Sequence, residues 1–155
     1  MKRLPTAAGV LAAAALLSGC TPVADVEAAP DAENPACAEV MVYLPVEVAE
    51  TPLRDTNSQA TAAWGNPSKV ILRCGVPVPG PTTEPCASVN GVDWLLREEG
   101  ETWRATTYGR EPAVEVVFNP NEVASSTLLV ELAGPVSRIE PTRECLSPQD
   151  TLDIP

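Results

Sequence analysis

The sequence predicts an α+β domain, in which a small, mostly antiparallel β-sheet carries one or two packed helices and two disulfides. Three observations support this fold class. Short apolar segments alternate with turn signals, a late segment has helical periodicity, and four cysteines are available for pairing. The clearest turn signal is Asn90-Gly91, because both central positions of a tight hairpin turn favour residues that accept positive φ. It separates two predicted strands, residues 86–89 and 92–97.

Three further strands are predicted at residues 69–76, 102–107 and 113–118, which are rich in β-branched or alternating apolar residues. The second of these follows a tight turn over residues 98–101. A helix is expected over 122–133, with Asn121 as its N-cap and Gly134-Pro135 as its stop signal. Residues 37–48 fit both helical spacing and strand alternation; since Pro45 must end any helix, we expect a short helix through residue 44 and a strand after Pro45. Residues 49–59 are polar and are expected to form a loop.

The first nineteen residues have the features of a lipoprotein signal peptide. Met1-Lys2-Arg3 is a short basic region, and the apolar run from Ala7 to Leu17 is too short to span a bilayer. Leu17-Ser18-Gly19-Cys20 then places small residues before a cysteine whose thiol would carry diacylglycerol. We therefore expect lipidation at Cys20 and a cell-membrane location on the extracytoplasmic face. The alternative is an ordinary signal peptide followed by an incidental cysteine.

The remaining chain is expected to comprise a disordered acidic and Pro-rich tether over residues 20–35 and a single domain over 36–155. Once Cys20 is assigned to lipid, Cys37, Cys74, Cys86 and Cys145 predict two disulfides in an oxidising compartment. Three pairings are open. We favour Cys74–Cys86, which would close a Pro-rich loop, together with Cys37–Cys145, which would tie the ends of the domain.

Composition narrows the classes of function. Loss of Lys2 and Arg3 takes the net charge from −11 to −13, which argues against a nucleic-acid partner. The chain has no histidine, so Ser-His-Asp and Cys-His catalysis and His-ligated metals are excluded. The cysteines show no close ligand spacing and no CxxC. We expect neither a metal site nor a cofactor.

Several short motifs occur in a characteristic order. They are Trp64-Gly65, the RCGV sequence from Arg73, the VNGVDW sequence from Val89, the TYGR sequence from Thr107 and the PAVEV sequence from Pro112. Together with Leu17-Ser18-Gly19-Cys20, they resemble the actinobacterial family of domain of unknown function 3515 (DUF3515), over about residues 36–145. The resemblance implies a small secreted or lipid-anchored protein of Gram-positive actinobacteria. It implies no activity, so no catalytic residue is transferred. The segment after Cys37 is richer in valine than the Ala/Leu-rich helix of the family.

One group of polar and aromatic residues forms a candidate ligand site. Its members are Asn90, Asp93, Trp94, Tyr108, Arg110 and Arg73. We expect Asp93 to pair with Arg110, and an Arg beside aromatic rings suits a carboxylate or a sugar phosphate. The structural alternative is a hairpin turn, a core tryptophan and an ion pair that fixes a loop.

The predicted function is a non-enzymatic binding or accessory module of the cell envelope, held to the membrane by its lipid. Its partner would be an envelope protein or a cell-wall glycan. The alternative is a carboxylate-dependent enzyme that acts on cell-wall polymers through Asp93, Tyr108 and Arg110. A purely structural accessory subunit is a third reading.

Overall fold

A computed structural model describes residues 22–146. The predicted signal peptide and the lipidation site at Cys20 lie outside this range, and so do residues 147–155. The elements follow the chain in this order: α1 (Pro35–Val42), β1 (Glu47–Val48), β2 (Thr51–Arg54), β3 (Thr61–Trp64), β4 (Val70–Val76), β5 (Cys86–Val89), β6 (Val92–Glu99), β7 (Thr102–Thr107), β8 (Ala113–Phe118) and α2 (Ser125–Val136). Within residues 22–146, no helix is long and apolar enough to cross a membrane.

The eight strands form one antiparallel sheet in the order β1-β2-β3-β4-β8-β7-β6-β5. Each half of the chain contributes a four-stranded meander, and the two meanders meet where β8 pairs with β4. The predicted α+β class, with a mostly antiparallel sheet, two helices and two disulfides, is confirmed. Because β8 occupies the place beside β4, the Pro-rich segment after β4 must cross to the far edge of the sheet before β5 begins.

The two tight hairpins form where turn chemistry predicts them. Asn90 (φ 49°) and Gly91 (φ 79°) connect β5 to β6, and Gly100 (φ 65°) lies in the turn between β6 and β7. Asparagine and glycine tolerate positive φ better than other residues, and the right-handed strand twist favours such turns. These turns set the register that places Ser88 opposite Asp93.

One face of the sheet is covered by both helices and holds the main core. Its largest fully buried side chains are Trp64, Trp94, Phe118, Leu72, Leu128 and Leu132. Helix α1 begins at Pro35, after Asn34 accepts a hydrogen bond from the Ala36 amide at 3.1 Å through its side chain. An N-cap asparagine followed by proline is favoured at a helix start. The short helix expected after residue 36 is therefore present, but it ends at Val42.

Helix α2 begins three residues later than predicted. Asn121 does not cap it; the N-cap is Ala124, whose side chain makes no capping hydrogen bond. Nor does Gly134-Pro135 end it, since the helix continues to Val136. Pro135 and Val136 are both buried, and we attribute the extra residues to this burial, which offsets the single amide hydrogen bond that proline lacks.

The structure corrects the expectation that residues 20–35 form a disordered tether, over the part that it describes, residues 22–35. Residues 22–34 are here called the N-terminal arm; Ala24, Val26 and Ala29 pack on the second face of the sheet, while Ala32 joins the main core. Ala24, Val26, Ala29 and Ala32 are buried, while most of the remaining arm residues face solvent. The Ala24 amide donates to the Asp55 carbonyl at 2.8 Å, and the Asp31 amide donates to the Gly75 carbonyl at 3.0 Å. Small apolar residues thus bury enough surface to hold an otherwise acidic segment.

The expected disulfide pairing is wrong, although all four cysteines are paired. Cys37–Cys74 (Cα–Cα 5.6 Å) joins α1 to β4 inside the core and is called the inner disulfide. Cys86–Cys145 (Cα–Cα 6.3 Å) joins β5 to the C-terminal segment and is called the outer disulfide. A Cys74–Cys86 bond is ruled out by the strand order, because β8, β7 and β6 separate β4 from β5 by about 19 Å in all.

Candidate functional site

A cleft of about 240 Å³ lies where the C-terminal segment crosses the second face of the sheet beside β6. We call residues 141–146 the strap and this space the strap cleft. Ser88, Asp93 and Tyr108 line it from the sheet side, and Arg143, Glu144 and Cys145 line it from the strap. The outer disulfide fixes the strap to β5, and so closes one side of the cleft.

Asp93 is held by two neighbours. Its Oδ1 accepts a hydrogen bond from the Ser88 hydroxyl, and its Oδ2 accepts one from the Cys145 amide at 2.6 Å. Ser88 is its direct cross-strand partner in the β5–β6 pair, while Cys145 belongs to the strap. The carboxylate therefore joins the sheet to the strap through both of its oxygens.

Arg110 is buried and bridges two parts of the main chain. Its guanidinium donates to the carbonyls of Ile139 and Gly91, the latter at 2.7 Å, and its Nε has no partner among the described residues. Burial lowers the pKa of Arg110, with partial compensation from the negative charges of Glu140 and Asp93. The expected Asp93–Arg110 ion pair is absent from the ion pairs of the described residues, because backbone carbonyls occupy the guanidinium.

Gly109 allows the strap to approach the sheet. The Thr142 amide donates to the Gly109 carbonyl at 2.6 Å, and the Thr142 hydroxyl donates to the same oxygen at 2.9 Å. Gly109 has φ +71°, and a Cβ at this position would overlap the backbone of Arg143. Glycine is thus required both by the conformation and by the close contact.

The exposed polar groups of the cleft come from its two walls. The Arg143 guanidinium lies 5.8 Å from the centre of the Tyr108 ring, within the range of a cation–π contact. Arg143 and Glu144 are exposed, and Tyr108 is half-buried. Within residues 22–146, no three Cys, Asp or Glu side chains are grouped so as to hold a metal ion.

The structure brings together three of the six predicted site residues: Asp93, Tyr108 and Arg110. Asn90 is an exposed turn residue, as the structural alternative expects. Trp94 is fully buried in the core, and within residues 22–146 its indole nitrogen has no hydrogen-bond partner. Arg73 lies on β4, three strands from β6. Whether any of the six binds a ligand stays a prediction.

Arg73 belongs instead to a charged network across the middle of the second face. Its Nε and Nη2 donate to Glu115 Oε1 at 3.0 and 2.7 Å, while Arg104 pairs with the other oxygen of Glu115. Arg104 also binds Glu99 at 2.8 Å, and these hydrogen bonds, led by that of Glu99, raise its pKa. A second cleft of about 370 Å³ lies over the network. Since every carboxylate of this network pairs with a guanidinium, the positive and negative charges of the network balance one another.

Arg143 and Glu144 of the strap were not among the site residues predicted from the sequence. Arg143 and Glu144 flank a cysteine, and only the correct disulfide pairing would have placed them beside Asp93. The signal was therefore present in Cys145 but was not sufficient by itself.

The sequence matches the family model described as protein of unknown function (DUF3515) over residues 3–145. The chain belongs to the DUF3515 family. The match covers most of the chain and extends well before residues 36–145, which carried the resemblance. No similar sequence was found among curated proteins, and no match was found among solved structures. The function of this DUF3515 protein is therefore inferred from its own residues.

Proposed function

We propose that this DUF3515 protein is a lipid-anchored, non-enzymatic binding module of the cell envelope, and that the strap cleft is its ligand site. The ligand class is a carboxylate-bearing fragment of a cell-wall glycan. The observation that carries the proposal is the contrast between the polar groups of the cleft that are hydrogen-bonded within the fold and those that are exposed. The first hold the fold together, while the second are open to a ligand.

Asp93 and Arg110, which are already hydrogen-bonded within the fold, are poorly placed for catalysis. A general acid or base must exchange a proton with the substrate, yet both oxygens of Asp93 already accept hydrogen bonds from Ser88 and Cys145. The guanidinium of Arg110 is likewise used by two carbonyls. These contacts support a binding role over the alternative of a carboxylate-dependent enzyme.

Arg143 and Tyr108, unlike the exposed acid Glu144, suit recognition of a sugar that carries a carboxylate. An arginine can bind a carboxylate through two parallel hydrogen bonds, and an aromatic face can stack on a sugar ring. Arg143 and Tyr108 both line the cleft, with the Arg143 guanidinium over one face of the Tyr108 ring. A charge-assisted hydrogen bond contributes about 1.5–3 kcal/mol, which corresponds to tenfold or more in affinity.

Binding is tested with the mature chain, carrying Cys20→Ser to keep it in solution, and a mixture of soluble peptidoglycan fragments. We expect Arg143→Gln to weaken binding about tenfold. Arg138→Gln is the matched control, because Arg138 also lies over a tyrosine ring, 3.8 Å from the centre of Tyr43, but outside the cleft. Equal affinities for the two variants would contradict the proposed site. Cleavage of the fragments that is lost in Asp93→Asn would favour the enzyme alternative.

A second variant tests the shape of the cleft without removing a charge. Gly109→Ala should displace the strap, because its Cβ would overlap the Arg143 backbone. Gly100→Ala is the control, since Gly100 has a similar positive φ and open space around it. Binding should fall in the first variant and persist in the second. The proposal fails if both variants bind like the unchanged chain.

The lipid anchor is tested separately. The basic start, the apolar run and Leu17-Ser18-Gly19-Cys20 support lipidation at Cys20. Incorporation of labelled palmitate and partition into a detergent phase should both be lost in Cys20→Ser. Retention of the label in that variant would contradict lipidation at Cys20.

A further inference from the structure

The N-terminal arm fixes how far the folded domain can lie from Cys20. The Pro22 carbonyl accepts a hydrogen bond from Arg54, and the next links are Ala24 to Asp55 and Asn57 at 2.8 and 3.1 Å. The chain is therefore tied to β2 from its second residue after Cys20. Two residues of fully extended chain span at most about 7 Å.

The surface around Pro22 has both apolar and basic exposed groups. Val23 is 56% exposed, Leu53 next to Arg54 is 39% exposed, and Val46, whose carbonyl accepts the Leu53 amide, is 81% exposed. Arg54 also reaches the turn between β3 and β4, where it donates to the Gly65 carbonyl at 2.8 Å. We call Val23, Val46, Leu53 and residues 65–69 the anchor edge.

Lys69 completes this edge. It is exposed, and it is the only lysine that follows Cys20 in the sequence. Long basic side chains at a membrane interface extend their charge to lipid phosphates while exposed valine and leucine side chains enter the headgroup region. The chemistry of the anchor edge thus fits a lipid surface.

We infer that the anchor edge rests directly on the headgroups of the membrane that holds the acyl chains. This inference rests on the proposed lipidation of Cys20. The net charge of −13 after removal of the signal peptide gives no general attraction to anionic lipid. The short connection makes the contact intramolecular, so that weak interactions at the anchor edge suffice to orient the domain.

This orientation points the strap cleft away from the membrane. In the sheet order, β6 is five strands from β2, which corresponds to about 24 Å across the strands. Asp93 is also five residues along β6 from Glu98, whose row of partners runs through Trp103 and Phe118 to Val70, beside the anchor edge. A ligand on the wall side would therefore meet the cleft first.

Lys69 provides a direct test. The full lipidated chain is placed in vesicles of phosphatidylglycerol and phosphatidylethanolamine, treated with a water-soluble amine-reactive reagent and analysed by peptide mapping. We expect labelling of Lys69 to be roughly fivefold slower than in the soluble Cys20→Ser chain, because headgroups cover the anchor edge. The introduced lysine of Arg143→Lys, on the strap, should be labelled equally fast in both forms.

A spacer provides the second measurement. Insertion of about twelve Gly/Ser residues between Thr21 and Pro22 would extend the reach of the connection to about 20 Å and should restore fast labelling of Lys69. Fast labelling of Lys69 in the vesicle-bound parent chain would overturn this inference but leave lipidation intact. Failure of Cys20→Ser to release the chain from membranes would instead overturn the proposed anchor.

Discussion

Gly75 is the position where one added methyl group should detach the N-terminal arm. Its φ is +94°, and a Cβ built there would overlap the backbone of Asp31, so that Gly75→Ala forces the arm away from β4. Gly91→Ala has a similar conformational cost, about 1–2 kcal/mol for an L-residue at positive φ, but has open space around it. The difference between the two variants therefore isolates the arm contact.

The size of that difference follows from what the arm loses. The hydrogen bond from the Asp31 amide to the Gly75 carbonyl contributes about 1 kcal/mol. Exposure of Ala29 and Ala32, both now buried, costs about 0.8 kcal/mol for each methyl group. We expect Gly75→Ala to lower the free energy of unfolding by about 2–3 kcal/mol more than Gly91→Ala.

The assay is urea unfolding of both variants with the disulfides oxidised, followed by tryptophan fluorescence, since Trp64 and Trp94 are fully buried. Hydrogen exchange at the Asp31 amide gives a local readout, because only the detached arm exposes it. If the two variants unfold at the same urea concentration and Asp31 remains protected in both, the arm does not depend on the glycine and the prediction is wrong.

Three further outcomes are expected. Glu115→Gln should lower the free energy of unfolding by about 2–3 kcal/mol in urea titrations, because it weakens two guanidinium contacts of a buried carboxylate; Glu98→Gln, on an exposed side chain, is the control, and equal effects would contradict the network's role. Hydrogen bonding by Arg104 lowers the pKa of Glu99, so its contribution is present above the unfolded pKa and lost as pH falls through the folded one; the stability gap between the parent and Glu99→Gln should close as pH falls from neutrality through the lowered pKa of Glu99, and a constant gap would disprove the coupling. Under a mild dithiol reductant, alkylation and mass mapping should find the outer disulfide open before the inner one, since Cys86 is exposed and the inner pair is buried; the reverse order would exclude accessibility as the cause.

Local chemistry was sufficient to predict the hairpins and most strands. Asn90-Gly91 and the turn at Gly100 specify their own backbone conformation, and β8 occupies the predicted residues 113–118. Strand β2 was missed because TPLR has neither alternation nor β-branched enrichment. It is held by its neighbours β1 and β3 rather than by its own propensity.

The order of the strands could not be predicted from local patterns. The pairing of β8 with β4 joins segments about forty residues apart, and no periodicity in either strand identifies the other. The disulfide pairing depends on the strand order, so it could not be predicted correctly either. The position of the N-terminal arm could not be predicted for a related reason. Alanines on an acidic segment bury little surface by themselves, and only the folded sheet, with Gly75, provides the surface on which they pack.

The candidate site was predicted in part for the same reasons. Asp93 lies on β6 and Tyr108 directly follows the neighbouring β7, with a predictable turn between the two strands, and the Tyr108 amide donates to the Asp93 carbonyl at 2.8 Å. Arg110 was correctly placed in the candidate site, but its partner was predicted wrongly. Its carbonyl partners Gly91 and Ile139 belong to distant segments of the chain. Arg143 could be identified as a site residue only from the position of the strap in the structure.

The two disulfides join cysteines that are consecutive along the chain, Cys37 with Cys74 and Cys86 with Cys145. A chain exported from its N-terminus presents these thiols in the same order, so an oxidase that joins each new thiol to the one waiting before it produces the native pairs without reshuffling. The proposed thioether at Cys20 would protect this order, because it removes the one thiol that emerges before Cys37. Lipidation would then serve the accuracy of oxidation as well as attachment.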